Sequence, residues 1–378
     1  MFGVRSISPR TKYYALRTKK MAIDLKTIAR RVLESASPDL HLRVGEPPVV
    51  RLRTGELVAM EGIPVLTIAD IDAVIHDITT EAQFKRFAEA QQLDFSYHED
   101  GLGRFRVNIF QEKRGPAIAF RVISDRIPTM DELGLGDAVK RLLLQPKGLV
   151  LVTGATGMGK STTLASMIDY INQNRKSHII TIEDPIEFIY KSKEGLVTQR
   201  EVNVHTRSFS EAISGALRQD PDVVMIGEMR DLDTIAAAIT LAETGTLVFS
   251  TLHTSDAAQT VNRIIDVFPA YQQQQIRTQL SSVLKGVISQ TLLPRANGDG
   301  RVAAHEILLM NDAVRNCIAR GETHQLYSII QLSGAEGMVL MDSALEELCK
   351  TGYITAEQAI AKASDVEALE KRLQTQLA

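Results

Sequence analysis

Eight residues carry the strongest chemical signal in this chain. Gly154, Ala155, Thr156, Gly157, Met158, Gly159, Lys160 and Ser161 satisfy G-x-x-x-x-G-K-[ST] without a mismatch. Glycines at these spacings let backbone N–H groups turn inward onto phosphate oxygens, and the positive end of a following helix adds to them. Gly154 to Thr162 are therefore expected to bind ATP, with Lys160 reaching the β- and γ-phosphates and the Ser161 hydroxyl holding Mg²⁺. The flanks agree. An apolar run, Leu149-Val150-Leu151-Val152, leads in, and a helix-like stretch from Thr162 to Ile168 leads out.

Three further segments could converge on the same phosphates. Thr181-Ile182-Glu183-Asp184-Pro185-Ile186-Glu187 ends a strand-like run in carboxylates, where sites in open α/β sheets lie. Glu183 or Asp184 could hold Mg²⁺ through water or orient the attacking water; the alternative is a solvated acidic loop. In Asp222-Val223-Val224-Met225-Ile226-Gly227-Glu228 an apolar strand again ends in acid. Gly227 stands where an Asp is usual for this pattern, so the metal role passes to water or to the earlier acidic cluster. Glu228 is the candidate for polarising the lytic water, against a structural ion pair with Arg230. The third segment, Ser250 to Asp256, places His253 where it could sense the γ-phosphate, although a lone histidine is more often structural.

Arginines nearer the N-terminus could complete such a site. In the run from Arg104, Phe105, Val107 and Ile109 alternate with Arg104 and Arg106, and Arg121 alternates with Phe120 and Val122. Paired strands would gather Arg104, Arg106 and Arg121 on one face, as fingers toward a neighbouring subunit's γ-phosphate or as a plain solvated basic face.

The elements that must position these groups divide the chain. Residues 21–125 read as a small α+β domain, 126–136 as a linker, and 137–378 as a domain in which apolar strands alternate with helices around a mostly parallel sheet. Buried strands are expected at 149–153, 179–182, 223–226 and 247–250, with helices from about residue 312 onward. An amphipathic helix is expected from Met21. Residues 1–20 hold six of the 43 Lys and Arg and none of the 46 acids, without an apolar core, which excludes a secretory signal and suggests a disordered extension or an early start at Met1, with a contact to anionic lipid or a partner as the alternative. The remainder is more acidic than the overall charge of −3 indicates, which argues against bulk nucleic-acid binding. Hydrophobic content of 44% with no apolar run of about 18 residues fits a protein without a membrane span. Cys317 and Cys349 form neither a disulfide framework nor a metal-ligand pattern, in keeping with a reducing cytoplasm.

Together these motifs make the sequence resemble the secretion ATPase superfamily of type II secretion and type IV pilus motors. Gly154–Ser161 matches its Walker A motif, Thr181–Glu187 its Asp box, Gly227-Glu228 its atypical Walker B and Ser250–Asp256 its His box. Within it the chain looks like the pilus retraction branch. A paired C-x-x-C zinc element, common in assembly and secretion members, is missing, and Ala313-Val314-Arg315-Asn316-Cys317-Ile318-Ala319-Arg320 resembles that branch's short C-terminal helix. Arg315 and Asn316 are kept, Cys317, Ala319 and Arg320 depart, and Val314, Cys317 and Ile318 preserve a buried stripe. The resemblance implies a PAS-like first domain, a RecA-like P-loop second domain and a ring-shaped homohexamer with ATP at subunit interfaces. It implies a cytoplasmic motor for twitching motility, docked on a platform protein at the inner-membrane base of the pilus. A second retraction ATPase is a candidate partner. The alternatives are a pilus assembly or type II secretion ATPase, a nucleic-acid-translocating ring, and a module that binds ATP without hydrolysing it.

Overall fold

The computed structural model describes residues 24–35, 37–52, 55–123, 126–298 and 300–377. The basic stretch 1–20 lies outside them. The chain separates into two compact units, Met1–Asp125 and Arg126–Ala378.

In the first unit, α1 (Leu25–Glu34) starts where the Asp24 side chain accepts the Lys26 N–H at 3.1 Å, and it buries Leu25, Ile28, Ala29 and Val32 along one stripe. The expected opening at Met21 lies outside the described residues. Strands β1 (Asp39–Arg43), β2 (Val49–Arg51) and β3 (Leu57–Ala59) follow, then α2 (Ile68–Ile78) and α3 (Glu81–Ala90), each opened by a capping box. Strands β4 (Gln92–Glu99), β5 (Gly103–Glu112) and β6 (Gly115–Ile123) complete an antiparallel sheet in the order β3-β2-β1-β6-β5-β4. Phe105, Val107 and Ile109 of β5 point into the core with Ile71, Val74 and Leu42, which leaves the intervening residues on the other face.

The second unit holds α4 (Asp137–Leu143), β7 (Gly148–Thr153), α5 (Lys160–Asn174), β8 (His178–Glu183), β9 (Leu196–Glu201), α6 (Phe209–Ala216), β10 (Val223–Ile226), α7 (Leu232–Glu243) and β11 (Leu247–Leu252). It continues through α8 (Ala257–Asp266), α9 (Ala270–Val283), β12 (Leu284–Pro294), β13 (Arg301–Leu309), α10 (Asp312–Arg320), α11 (Leu326–Leu332), α12 (Met341–Lys350), α13 (Ala356–Ile360) and α14 (Val366–Leu377). The sheet order is β13-β12-β7-β11-β10-β8-β9, parallel throughout except at the β12–β13 edge. Every residue of β7, β10 and β11 is buried, because helices cover both faces. Alternation sorts them: Leu149, Leu151, Val224 and Val248 pack on one side with α7 and α8, while Val150, Val152, Met225 and Phe249 pack on the other with α5. The class is the expected one, an α/β P-loop domain preceded by a smaller α+β domain.

The structure adds to the expectations in two places. Residues 126–136 are not a bare linker: Met130 and Leu135 are buried with Val139, Leu143 and Val150, and Glu132 closes a turn by accepting the Thr129 N–H at 2.8 Å. Their apolar side chains finish the core beneath α4. Strands β9, β12 and β13 go beyond the four buried strands expected from the sequence. The signal for the last pair is two largely apolar segments on either side of Asn297-Gly298, a hairpin pattern. By contrast, α10 buries Val314, Cys317 and Ile318, the stripe read from spacing.

Candidate active site

Because β7, β8, β10 and β11 are parallel, the segments that follow them emerge on one edge of the sheet. The loop after β7 turns through Gly154, Gly157 and Gly159, with φ of +145°, +79° and +83°. At Gly154 the need for glycine is doubled, since a Cβ there would lie 2.4 Å from the Gln290 carbonyl oxygen. Helix α5 begins at Lys160 with Gly159 as N-cap and no side-chain cap, whereas α7 and α8 are capped by Asp231 and Asp256. First-turn N–H groups of α5 are thus left for an anion.

Lys160 is buried, and its Nζ donates to the Gly154 carbonyl at 2.7 Å and the Ala155 carbonyl at 3.0 Å. Burial pushes its ammonium below the ordinary lysine range, and the carboxylates of Glu228 and Glu187 push it back up. A third group faces the ammonium, His253 Nδ1 at 3.4 Å. The same imidazole presents Nε2 to Glu228 Oε1 at 2.9 Å. With Nε2 donating to the carboxylate, Nδ1 is the acceptor toward Lys160, the neutral tautomer. Glu228 Oε1 also accepts from Arg230 Nε at 2.6 Å, so the expected ion pair with Arg230 and a contact to His253 share one oxygen.

Local backbone bonds aim Glu228. The Gly227 N–H donates to the Ile182 carbonyl at 2.8 Å, and Thr251 Oγ1 donates to the Gly227 carbonyl at 2.7 Å. Residue 227 is stitched between the ends of β8 and β11, and the next side chain projects toward the lysine.

Glu183 is placed differently. It is buried, and it accepts from Thr181 Oγ1 at 2.6 Å, Gln199 Nε2 at 3.3 Å and the Glu187 N–H at 3.4 Å. These donors hold it against the β8–β9 end of the sheet, and burial pushes its carboxyl up to about 7. Asp184 is exposed. Of the acidic cluster it is Glu187, not singled out from the sequence, whose charge acts on Lys160. The Glu183 shift has a signed consequence. Its folded-state pKa lies above the unfolded value of 4.5, so ionisation costs more in the folded chain. Relative to Glu183→Gln, the wild-type chain should lose stability as pH rises from about 4.5 to about 7, by roughly 3 kcal/mol at most, and then level off. Urea unfolding of both proteins across that range measures the difference; a flat difference would mean that Glu183 ionises freely.

Among the described residues no three His, Cys, Asp or Glu side chains cluster as a metal cage. Mg²⁺ needs no such cage, because it keeps several waters and is commonly held by one protein oxygen with nucleotide phosphates. Ser161 is exposed at the start of α5, where its hydroxyl can serve as that oxygen.

In the first unit, Arg106 stands directly opposite Arg121 across β5 and β6, and Arg121 opposite Asp39 across β6 and β1. The arginine face expected from alternation exists, yet it is already engaged. Arg106 forks onto Asp94 with Nη2 at 2.5 Å, Arg121 Nε meets Asp39 Oδ1 at 2.7 Å, and Arg104 Nη2 donates to Ser96 Oγ at 2.8 Å.

Sheet and loop define a P-loop nucleoside triphosphatase of the RecA-like kind. Residues 18–298 match the type II/IV secretion system protein family. The type IV pilus retraction ATPase PilT of Pseudomonas aeruginosa is 48% identical over 341 residues, covering 90% of this chain and 98% of that protein. A twitching motility protein of Neisseria gonorrhoeae is 47% identical over 307 residues, 81% of this chain and 82% of the relative. Among solved structures, the pilus retraction motor PilT with bound ADP superposes with a TM-score of 0.85 at 44% identity, covering 92% of this chain and 99% of that one. This chain belongs to the type II/IV secretion system protein family, and it is an ATPase of that family.

Proposed function

We propose that the chain is the ATP-driven motor that retracts type IV pili and so powers twitching. The observation that carries this reading is the likeness to the Pseudomonas retraction ATPase along 98% of that protein's length. The site supports an ATP-driven machine, since His253 lies within hydrogen-bond reach of both Lys160 and Glu228 beside the glycine loop.

The residues divide the work as follows. Lys160 exchanges the Gly154 and Ala155 carbonyls for phosphate oxygens when nucleotide enters. The loop and first-turn N–H groups from Gly154 to Thr162 hold the remaining phosphate charge. Ser161 would hold Mg²⁺, which when bound would neutralise charge on the phosphates. Glu228 accepts the proton of the attacking water, and His253, joined to both Glu228 and Lys160, registers whether the γ-phosphate is present. Glu183 acts through its strand end, supporting the Glu187 backbone, and Asp184 would hold the metal through water.

The working form in this proposal is a homohexameric ring with Arg104, Arg106 and Arg121 of one subunit completing the site of the next. Asp94 and Asp39 hold Arg106 and Arg121 in place. The ring docks, on the cytoplasmic side, on a membrane platform protein at the pilus base. Among the described residues no helix is long and apolar enough to cross the membrane itself. Deletion of the gene tests the function. Cells are expected to keep surface pili that no longer retract under fluorescence imaging, while cells without pili would assign the chain to assembly instead.

A further inference from the structure

The sheet strand lying under the glycine loop does more than cover it. Gln290, on β12, is only 4% exposed, and both ends of its side-chain amide are engaged. Its Nε2 donates to the Met158 carbonyl, and its Oε1 accepts from Thr163 Oγ1 at 2.7 Å. Neighbouring contacts join the same two parts. Thr153 Oγ1 donates to Ser289 Oγ at 2.9 Å, and Leu292 N approaches Met158 Sδ at 3.3 Å. One primary amide thus links the tip of the loop to the first turn of α5.

A trans peptide fixes what this link controls. The Met158 carbonyl and the Gly159 N–H belong to one planar unit and point in opposite directions. Gln290 holds that carbonyl toward β12, so the Gly159 N–H is turned away from the strand. Glycine at 159, with φ of +83°, would otherwise leave this plane free to rotate. Thr163 in turn pins the amide so that its NH₂ end faces the loop. We infer that Gln290 is a positioning residue for nucleotide binding: it presets the peptide before Gly159 so that its N–H faces the phosphates. This rests on the ATPase reading above, and it assigns no contact between Gln290 and the nucleotide.

The test uses Gln290→Met, which keeps the volume and removes both hydrogen bonds, and Thr163→Val, which removes one. Fluorescent ADP binding and steady-state ATP turnover are measured on the full chain. In Gln290→Met the Kd for ADP and the KM for ATP should rise about tenfold, with kcat within about threefold, because no reacting atom is touched. Thr163→Val should weaken binding about threefold, and the double variant should bind no worse than Gln290→Met, since both changes break one link. A residue that merely supports the fold would lower the melting temperature without splitting KM from kcat. Wild-type ADP affinity in Gln290→Met, or additive losses in the double variant, would overturn the inference. Should Gln290→Met fail to fold, unchanged ADP affinity in Thr163→Val would overturn it equally. No ADP binding by the unsubstituted chain would overturn the ATPase reading and this inference with it.

Discussion

Replacing Lys160 by alanine is expected to cost at least about a hundredfold in nucleotide affinity and to reduce turnover to background. The ammonium is the buried cation that meets the loop carbonyls directly, with its Nζ 2.7 Å from one and 3.0 Å from the other. Each charge-assisted hydrogen bond it makes to phosphate is worth roughly 1.5–3 kcal/mol, so losing two accounts for the size of the effect. Folding should survive. Gly154 and Ala155 keep their backbone setting, and the desolvation that lowers the Lys160 pKa disappears with the side chain. The expected signature is a melting temperature close to wild type without nucleotide and no upward shift on adding ADP. A Lys160→Ala protein still stabilised by ADP would place the phosphates somewhere other than this loop.

The second large effect concerns Glu228. Glu228→Gln should bind ATP as the wild type does and hydrolyse it about 10²–10⁴ times more slowly, because an amide cannot take the proton of the attacking water. The geometry explains why binding survives. A glutamine Oε1 can still accept from His253 Nε2 and Arg230 Nε, so the contacts at 2.9 Å and 2.6 Å can persist. Trapped ATP in the purified variant, read by chromatography after denaturation, measures the outcome; full turnover would move the role to Glu187 or Glu183. The same variant tests the arginines. Arg106→Ala or Arg121→Ala alone should lose about 10³-fold if these groups act as fingers. Mixing either with Glu228→Gln should restore part of the activity, since some interfaces then pair an intact Glu228 with intact arginines. No recovery on mixing would confine the arginines to their own subunit.

Much of the site could be read locally. Glycine spacing, the lysine that follows and apolar strands ending in Glu228 or His253 are patterns a few residues long, with chemistry that depends on residue type. The arginine face was legible for a similar reason, because period-two alternation assigns faces without knowledge of the partner strand. Glu183 shows where such reading stops. Sequence places a carboxylate at a strand end, but Gln199 on a different strand and the Glu187 N–H decide that it turns inward. Glu187 lies four residues on, and only the path of the loop brings its charge toward Lys160.

The residue types of the loop after β7 pointed to phosphate there, since glycines, a lysine and a hydroxyl at those intervals are the groups an anion cradle is made from. Which carboxylate faces the cradle, and what holds the cradle's peptide planes, were settled by folding. Gln290 is 130 residues beyond Lys160 in the chain and meets the loop because β12 pairs beside β7. A hydrogen bond between groups so far apart in sequence has no periodicity to announce it, and it exists only once the sheet has closed.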